Sequence, residues 1–294
     1  MKNEEKISAF CMLEQAIHII CLHALEELDL HSNRIRVIEK NAFESLNNLQ
    51  KLNLSYNFLE TIPNCIGDIP QLKYLDLANN RIKLNGKNCF ANLHQLIYID
   101  LSNNQIKEIR NEILDSLNNL KVLLLNENSI QSIDGDSFVN LNQLTHLDLS
   151  VNKLTGVENK IFDSLTNLKF LSLHDNLIST FDEECFNNLK QLLFLDLSVN
   201  KIIEVPNYVF DSLISLNLTH LDLSVNKLTE LLDRVFNSLT NLKVLLLNNN
   251  LIDIFDDDCF IKLQQLSFLD LSTNKIIEIP EKVFDTLNEL KIYQ

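Results

Sequence analysis

Two histidine–aspartate pairs come closest to catalytic chemistry in this sequence: His146 with Asp148, and His220 with Asp222, each two positions apart. Such a pair can hold an imidazole ready for proton transfer or supply metal ligands. The acidic runs at 182–184 and 256–258 offer the hard oxygens that calcium prefers. Each run ends against a cysteine, Cys185 or Cys259, and Cys11, Cys21, Cys65 and Cys89 complete the six. These cysteines have neither the CxxC spacing of a zinc site nor the clustering of a disulfide cap. Four glycines in the whole chain leave little room for phosphate-cradling loops, and neither H-E-x-x-H nor G-x-S-x-G occurs. The expectation is therefore a chain that is not an enzyme, with no catalytic residue, no metal ligand and no cofactor.

What must position these residues is a repeat. Asn33, Asn57, Asn80, Asn104, Asn128, Asn152, Asn176, Asn200, Asn226, Asn250 and Asn274 mark LxLxxN segments, almost all 24 residues apart. The intervals of 23 (Asn57 to Asn80) and 26 (Asn200 to Asn226) place their length changes in connecting loops. LxL with exposed alternate positions is a short strand with both leucines on one side. The turn after it leaves backbone N–H and C=O groups buried, and an inward amide can donate and accept at once. The eleven asparagines are thus expected to be structural. Phe43, Phe90, Phe138, Phe162, Phe186, Phe210, Phe236, Phe260 and Phe284, with Ile66 and Leu114 in the same phase, are expected to fill the far side of each coil. Cys65, Cys89, Cys185 and Cys259 stand just before that position and are expected to pack there as small semi-buried residues. A Cys65–Cys89 disulfide on adjacent coils is geometrically marginal.

The pattern LxxLxLxxNxIxxIxxxxFxxLxxL, clearest over 144–168, resembles the leucine-rich-repeat family in its 24-residue form, as in Toll-like, Slit-like and lamprey variable receptors. The resemblance covers roughly residues 25 to 294. It implies an α/β leucine-rich-repeat solenoid: a curved horseshoe with a parallel β-sheet on the concave face and short helical or irregular segments on the convex face. One domain is expected over 25–294, eleven coils plus the start of a twelfth, behind an N-terminal cap over 1–24. That cap reads either as an amphipathic helix or as a degenerate half-repeat. A second period lies above the first, since THLDLSVNKLT occurs at 145–155 and again at 219–229, an offset of three coils. At about 4.8 Å per strand, His146 and His220 would lie roughly 15 Å apart, too far to share an ion.

In such a frame the outward strand positions form columns. The first column runs Glu27, Lys51, Tyr74, Tyr98, Val122, His146, Phe170, Phe194, His220, Val244, Phe268, aromatic or apolar from Tyr74 onward. The next runs Asp29, Asn53, Asp76, Asp100, Leu124, Asp148, Ser172, Asp196, Asp222, Leu246, Asp270, with seven carboxylates among eleven. Exposed aromatics anchor protein partners, and a carboxylate row steers basic ones. The candidate partner-binding residues are Tyr74, Tyr98, His146, Phe170, Phe194, His220, Phe268, Asp100, Asp148, Asp196 and Asp222. LDLS phrases also belong to the repeat itself, so the aspartates read equally as repeat background.

The net charge of −15 opposes nucleic acid and anionic lipid as partners and favours a protein ligand, basic if charged. Residues 1–27 carry acidic and polar interruptions unlike a secretory leader, and no stretch of about 18 apolar residues predicts a membrane span. LNELKIYQ at 287–294 begins another strand, and neither end carries the cysteine-rich cap usual in the resembled extracellular proteins. The leading expectation is a receptor-like or secreted recognition module holding a protein ligand on the concave face, or a fragment of one. The alternative is an intracellular scaffold or adaptor. The resemblance implies the cell surface or exterior, and a chain complete as written implies the cytoplasm. The sequons Asn53-Leu-Ser and Asn217-Leu-Thr are too short to decide between them.

Overall fold

The computed structural model describes residues 24–293 apart from 87–88, 159, 207–208, 211–217 and 233–234. The expected cap at 1–24, apart from Ala24, lies outside the described residues, as do Cys11, Cys21 and Asn217. The chain is a parallel β-sheet solenoid that divides into two compact units, Met1–Leu144 and Thr145–Gln294.

In the first unit, β1 (Glu27–Asp29), β2 (Lys51–Asn53), β3 (Tyr74–Asp76), β4 (Tyr98–Asp100) and β6 (Val122–Leu124) pair in parallel in that order. Off this sheet, β5 (Glu108–Ile109) pairs with β7 (Ser132–Ile133). In the second unit the sheet runs β8 (His146–Asp148), β10 (Phe170–Ser172), β12 (Phe194–Asp196), β13 (His220–Asp222), β15 (Val244–Leu246), β17 (Phe268–Asp270) and β18 (Ile292–Tyr293). Two further parallel pairs lie off it, β9 (Gly156–Val157) with β11 (Thr180–Phe181) and β14 (Glu230–Leu231) with β16 (Ile254–Phe255). In every strand of the main sheets except the two-residue β18 the central residue is buried while the first stays at least partly exposed, as the alternating pattern requires.

The residue before each ladder asparagine adopts left-handed backbone, at φ between 49° and 57° in all eleven coils. Its occupants include Val151, Val199 and Val225, side chains for which that region is costly. The asparagine that follows explains why the turn is held. Asn176 Nδ2 reaches the carbonyls of Leu173, His174 and, one coil back, Leu149 at 3.0–3.2 Å, while its Oδ1 accepts the Leu154 N–H at 3.0 Å. Asn57, Asn80, Asn104, Asn200, Asn226 and Asn250 repeat this network, and all six are buried.

Opposite the sheet, the phenylalanines stack coil on coil: Phe162–Phe186, Phe186–Phe210 and Phe236–Phe260 each have ring centroids 6.3 Å apart. Ile66 and Leu114 are buried in the same phase. Phe284 departs from the expected core position: it stacks on Phe260 at 6.1 Å but is 37% exposed, because no later ring covers its outer side among the described residues. The connecting side is mostly turns, with one 3-10 segment at Asn64–Asp68. Cys65, Cys185 and Cys259 are buried and Cys89 half-buried, and these four thiols are free.

Candidate functional site

In the first unit the first outward column opens with a charge pair. Lys51 Nζ binds the Glu27 carboxylate and sits 5.8 Å from the Tyr74 ring centre. Tyr74, 41% exposed, faces Tyr98 with centroids 6.2 Å apart. The Tyr98 hydroxyl donates to Asp100 Oδ2 at 3.3 Å. Burial first, then the nearby Asp100 and Asp76 charges, push the Tyr98 hydroxyl pKa up to about 12.

In the second unit four rings from four neighbouring strands form a continuous stack. His146–Phe170, Phe170–Phe194 and Phe194–His220 have centroids 6.0, 4.7 and 6.0 Å apart, and the two phenylalanine planes differ by 7°. The histidines at its ends are exposed and the phenylalanines half-buried. Phe268 is half-buried but set apart from this stack, because Val244 on β15 stands between it and His220.

Neither histidine pairs with the aspartate two residues on. Both hydrogen-bond through Nδ1 to the preceding threonine, His146 to Thr145 Oγ1 at 2.9 Å and His220 to Thr219 Oγ1 at 2.8 Å. Thr219 Oγ1 also donates to the Leu193 carbonyl at 3.1 Å, so its lone pair accepts from the His220 Nδ1–H. In the neutral ring the remaining Nε2 is then a hydrogen-bond acceptor.

The aspartates have a local task that the sequence reading missed. Asp100, Asp148, Asp196 and Asp222 each accept, through Oδ1, the backbone N–H of the serine two residues on, at 2.8–2.9 Å. The Asp-x-Ser spacing is the signal for this Asx-type contact. Yet the turn does not depend on it. Leu124, Ser172 and Leu246 replace the carboxylate on β6, β10 and β15, and Glu127, Asp175 and Asn249 still adopt the same left-handed backbone.

The carboxylates also oppose one another. Burial raises the Asp222 pKa, and the charge of Asp196 raises it further, against hydrogen bonds from Ser224 and the proximity of His174. Asp76 is raised in the same way, by burial and then by Asp100 and Asp29. Among the described residues, which include the acidic runs at 182–184 and 256–258, no three His, Cys, Asp or Glu side chains are placed to share a metal ion.

A family profile described as leucine rich repeat matches residues 23–82, 70–126, 94–154, 118–178, 147–202 and 216–276. Over 75 residues the chain is 40% identical to a volume-regulated anion channel subunit of Rattus norvegicus, a match covering 25% of this chain and 9% of that protein. A solved leucine-rich-repeat protein of Leptospira interrogans is 30% identical, with a TM-score of 0.69 over 92% of this chain and 72% of that one. A chain of the Drosophila Toll–Spatzle complex shares the fold at 24% identity and a TM-score of 0.75, over 92% of this chain and 41% of that one. The chain thus spans a small part of the channel subunit and under half of the Toll-complex chain.

Proposed function

We propose that this chain, which belongs to the leucine-rich-repeat family, is a recognition module that holds a protein ligand on the exposed faces of its main sheets, in the manner of a receptor. The carrying observation is the His146–Phe170–Phe194–His220 stack, four neighbouring rings from four neighbouring strands. Clustered aromatics of this kind supply most of the binding energy in protein interfaces. Tyr74, Tyr98 and Asp100 offer a second aromatic and acidic surface in the first unit, and Phe268 extends the apolar surface of the second.

Asp148, Asp196 and Asp222 bias this face towards basic partners. The repulsion of Asp222 by Asp196 persists although the turn can be made without these carboxylates, so a cationic ligand would relieve a cost already present in the free protein. At the level of fold, Toll offers a parallel, since its solved structure is a complex with Spatzle. Among the described residues no helix is long and apolar enough to cross a membrane.

Photo-crosslinking tests this reading. A photoreactive side chain at position 194 should trap a partner that the same group at Val139, exposed off the sheet, does not trap. Equal trapping at both positions would contradict it.

A further inference from the structure

The ring stack and the carboxylates beside it also constrain the shape of what they hold. Asp148 and Asp196 lie on β8 and β12, with β10 between them carrying Ser172 in the same column. Two strand steps separate these carboxylates by about 9.6 Å along the sheet. Residues on one edge of a polyproline II helix recur every third position, about 9.3 Å apart. The same-side repeat of an extended β-strand is about 6.7 Å, and one helical turn advances about 5.4 Å. Two helical turns overshoot at about 10.8 Å, so the polyproline II repeat comes nearest the two-strand interval.

The chemistry points the same way. No lysine or arginine pairs with Asp148, Asp196 or Asp222 among the described residues. Flat aromatic surfaces take proline rings, and a polyproline II backbone keeps its own N–H groups free for outside acceptors. His220, whose Nδ1 is turned to the Thr219 hydroxyl, leaves Nε2 to offer such an acceptor when the ring is neutral. In the first unit the chain already lays a cation on this column, where Lys51 stands over Tyr74 beside the Glu27 carboxylate.

We infer that the sheet face of the second unit takes a proline-rich basic segment in polyproline II conformation, with a proline seated on the Phe170–Phe194 ring pair and a basic side chain at every third position against Asp148 and Asp196. This rests on the sheet face being the binding surface. Asp222, one strand beyond Asp196, falls out of step with the three-residue repeat and with His220 is left to the segment's N–H groups.

The test uses the full chain and a synthetic Arg-Pro-Ser repeat peptide, followed by fluorescence anisotropy. A permuted peptide of the same composition, with its arginines clustered, serves as the control. The repeat peptide should bind at least about 10-fold more tightly than the permuted one, and should lose about 10-fold or more in Asp148→Asn/Asp196→Asn, as expected when hydrogen bonds to charge are removed. Phe194→Ala should weaken it comparably, with unchanged circular dichroism in each variant. Equal affinity for the two peptides, both weakened by the face variants, overturns the segment geometry and leaves the face standing. No binding of either peptide overturns the inference alone. Binding that all the face variants leave intact would sink the face assignment as well.

Discussion

Asn176 Oδ1 accepts the backbone N–H of Leu154, one coil earlier, at 3.0 Å, so the buried amide of one coil is closed by the asparagine of the next. This contact sets the solenoid's chief polar liability, because each asparagine answers for groups on two coils.

Asn176→Ala strands buried groups on both coils and should cost at least about 3 kcal/mol, at roughly 1–3 kcal/mol for each unsatisfied group. Asn33→Ala should cost less, since Asn33 is only half-buried and among the described residues its Nδ2 contacts are to Leu30 and His31 of its own coil. Urea unfolding midpoints of the two variants give the comparison directly.

The left-handed turn predicts stabilising substitutions. Val151, Val199 and Val225 hold φ of 53–54°, where asparagine already serves at Asn79, Asn103 and Asn249. Val→Asn at each should add up to about 1 kcal/mol, because asparagine tolerates this region better than a β-branched residue. In thermal melts Val151→Asn should add nearly independently, whereas Val199→Asn and Val225→Asn, on adjacent coils, should couple, as Asn79 and Asn103 do through a 2.7 Å side-chain hydrogen bond.

The carboxylate row predicts a pH dependence with a definite sign. The folded Asp222 pKa lies above its unfolded value, so the folded state binds more protons in the interval between them. Stability then falls as pH rises through that interval, and the loss is complete at neutral pH. Asp222→Asn should melt higher than the parent at neutral pH, with the difference vanishing below the carboxylate range. Asn53 shows that an amide keeps the turn contact, its Oδ1 accepting the Ser55 N–H at 3.0 Å.

Thiol labelling should follow burial. Burial raises the pKa of all four thiols, to about 11 at Cys65 and about 12 at Cys259, but Cys89 is only half-buried and so the most accessible. Maleimide at neutral pH should modify Cys89 before Cys65, Cys185 or Cys259, which should become reactive only on adding urea. Peptide mapping by mass spectrometry gives the order.

The frame of the fold was legible because its causes are local and repeated. Leucine alternation places the main strands, and one buried amide per coil marks the turns, so Asn57 to Asn250 could be named without coordinates. The short pairs such as β9 with β11 were not legible, since two residues of extended backbone carry no period of their own. Tyr74, Phe170 and Phe194 could be placed on the face from strand phase, but the stacking of His146 on Phe170 could not. It depends on side-chain torsions that spacing does not fix. His146 and Asp148 show the limit of adjacency, since their spacing permits a pair and the threonine hydroxyl takes the exposed imidazole instead.

The central claim is that the sheet-face rings carry partner binding. The most direct measurement is the dissociation constant of the crosslinked partner for Phe170→Ala/Phe194→Ala, set against Ile254→Ser, an exposed position off the main sheet. The ring variant should bind at least about 30-fold more weakly, the loss expected of hot-spot residues, and Ile254→Ser should keep parental affinity, with both proteins folded. Parental affinity in the ring variant, or an equal loss in both, would contradict the claim.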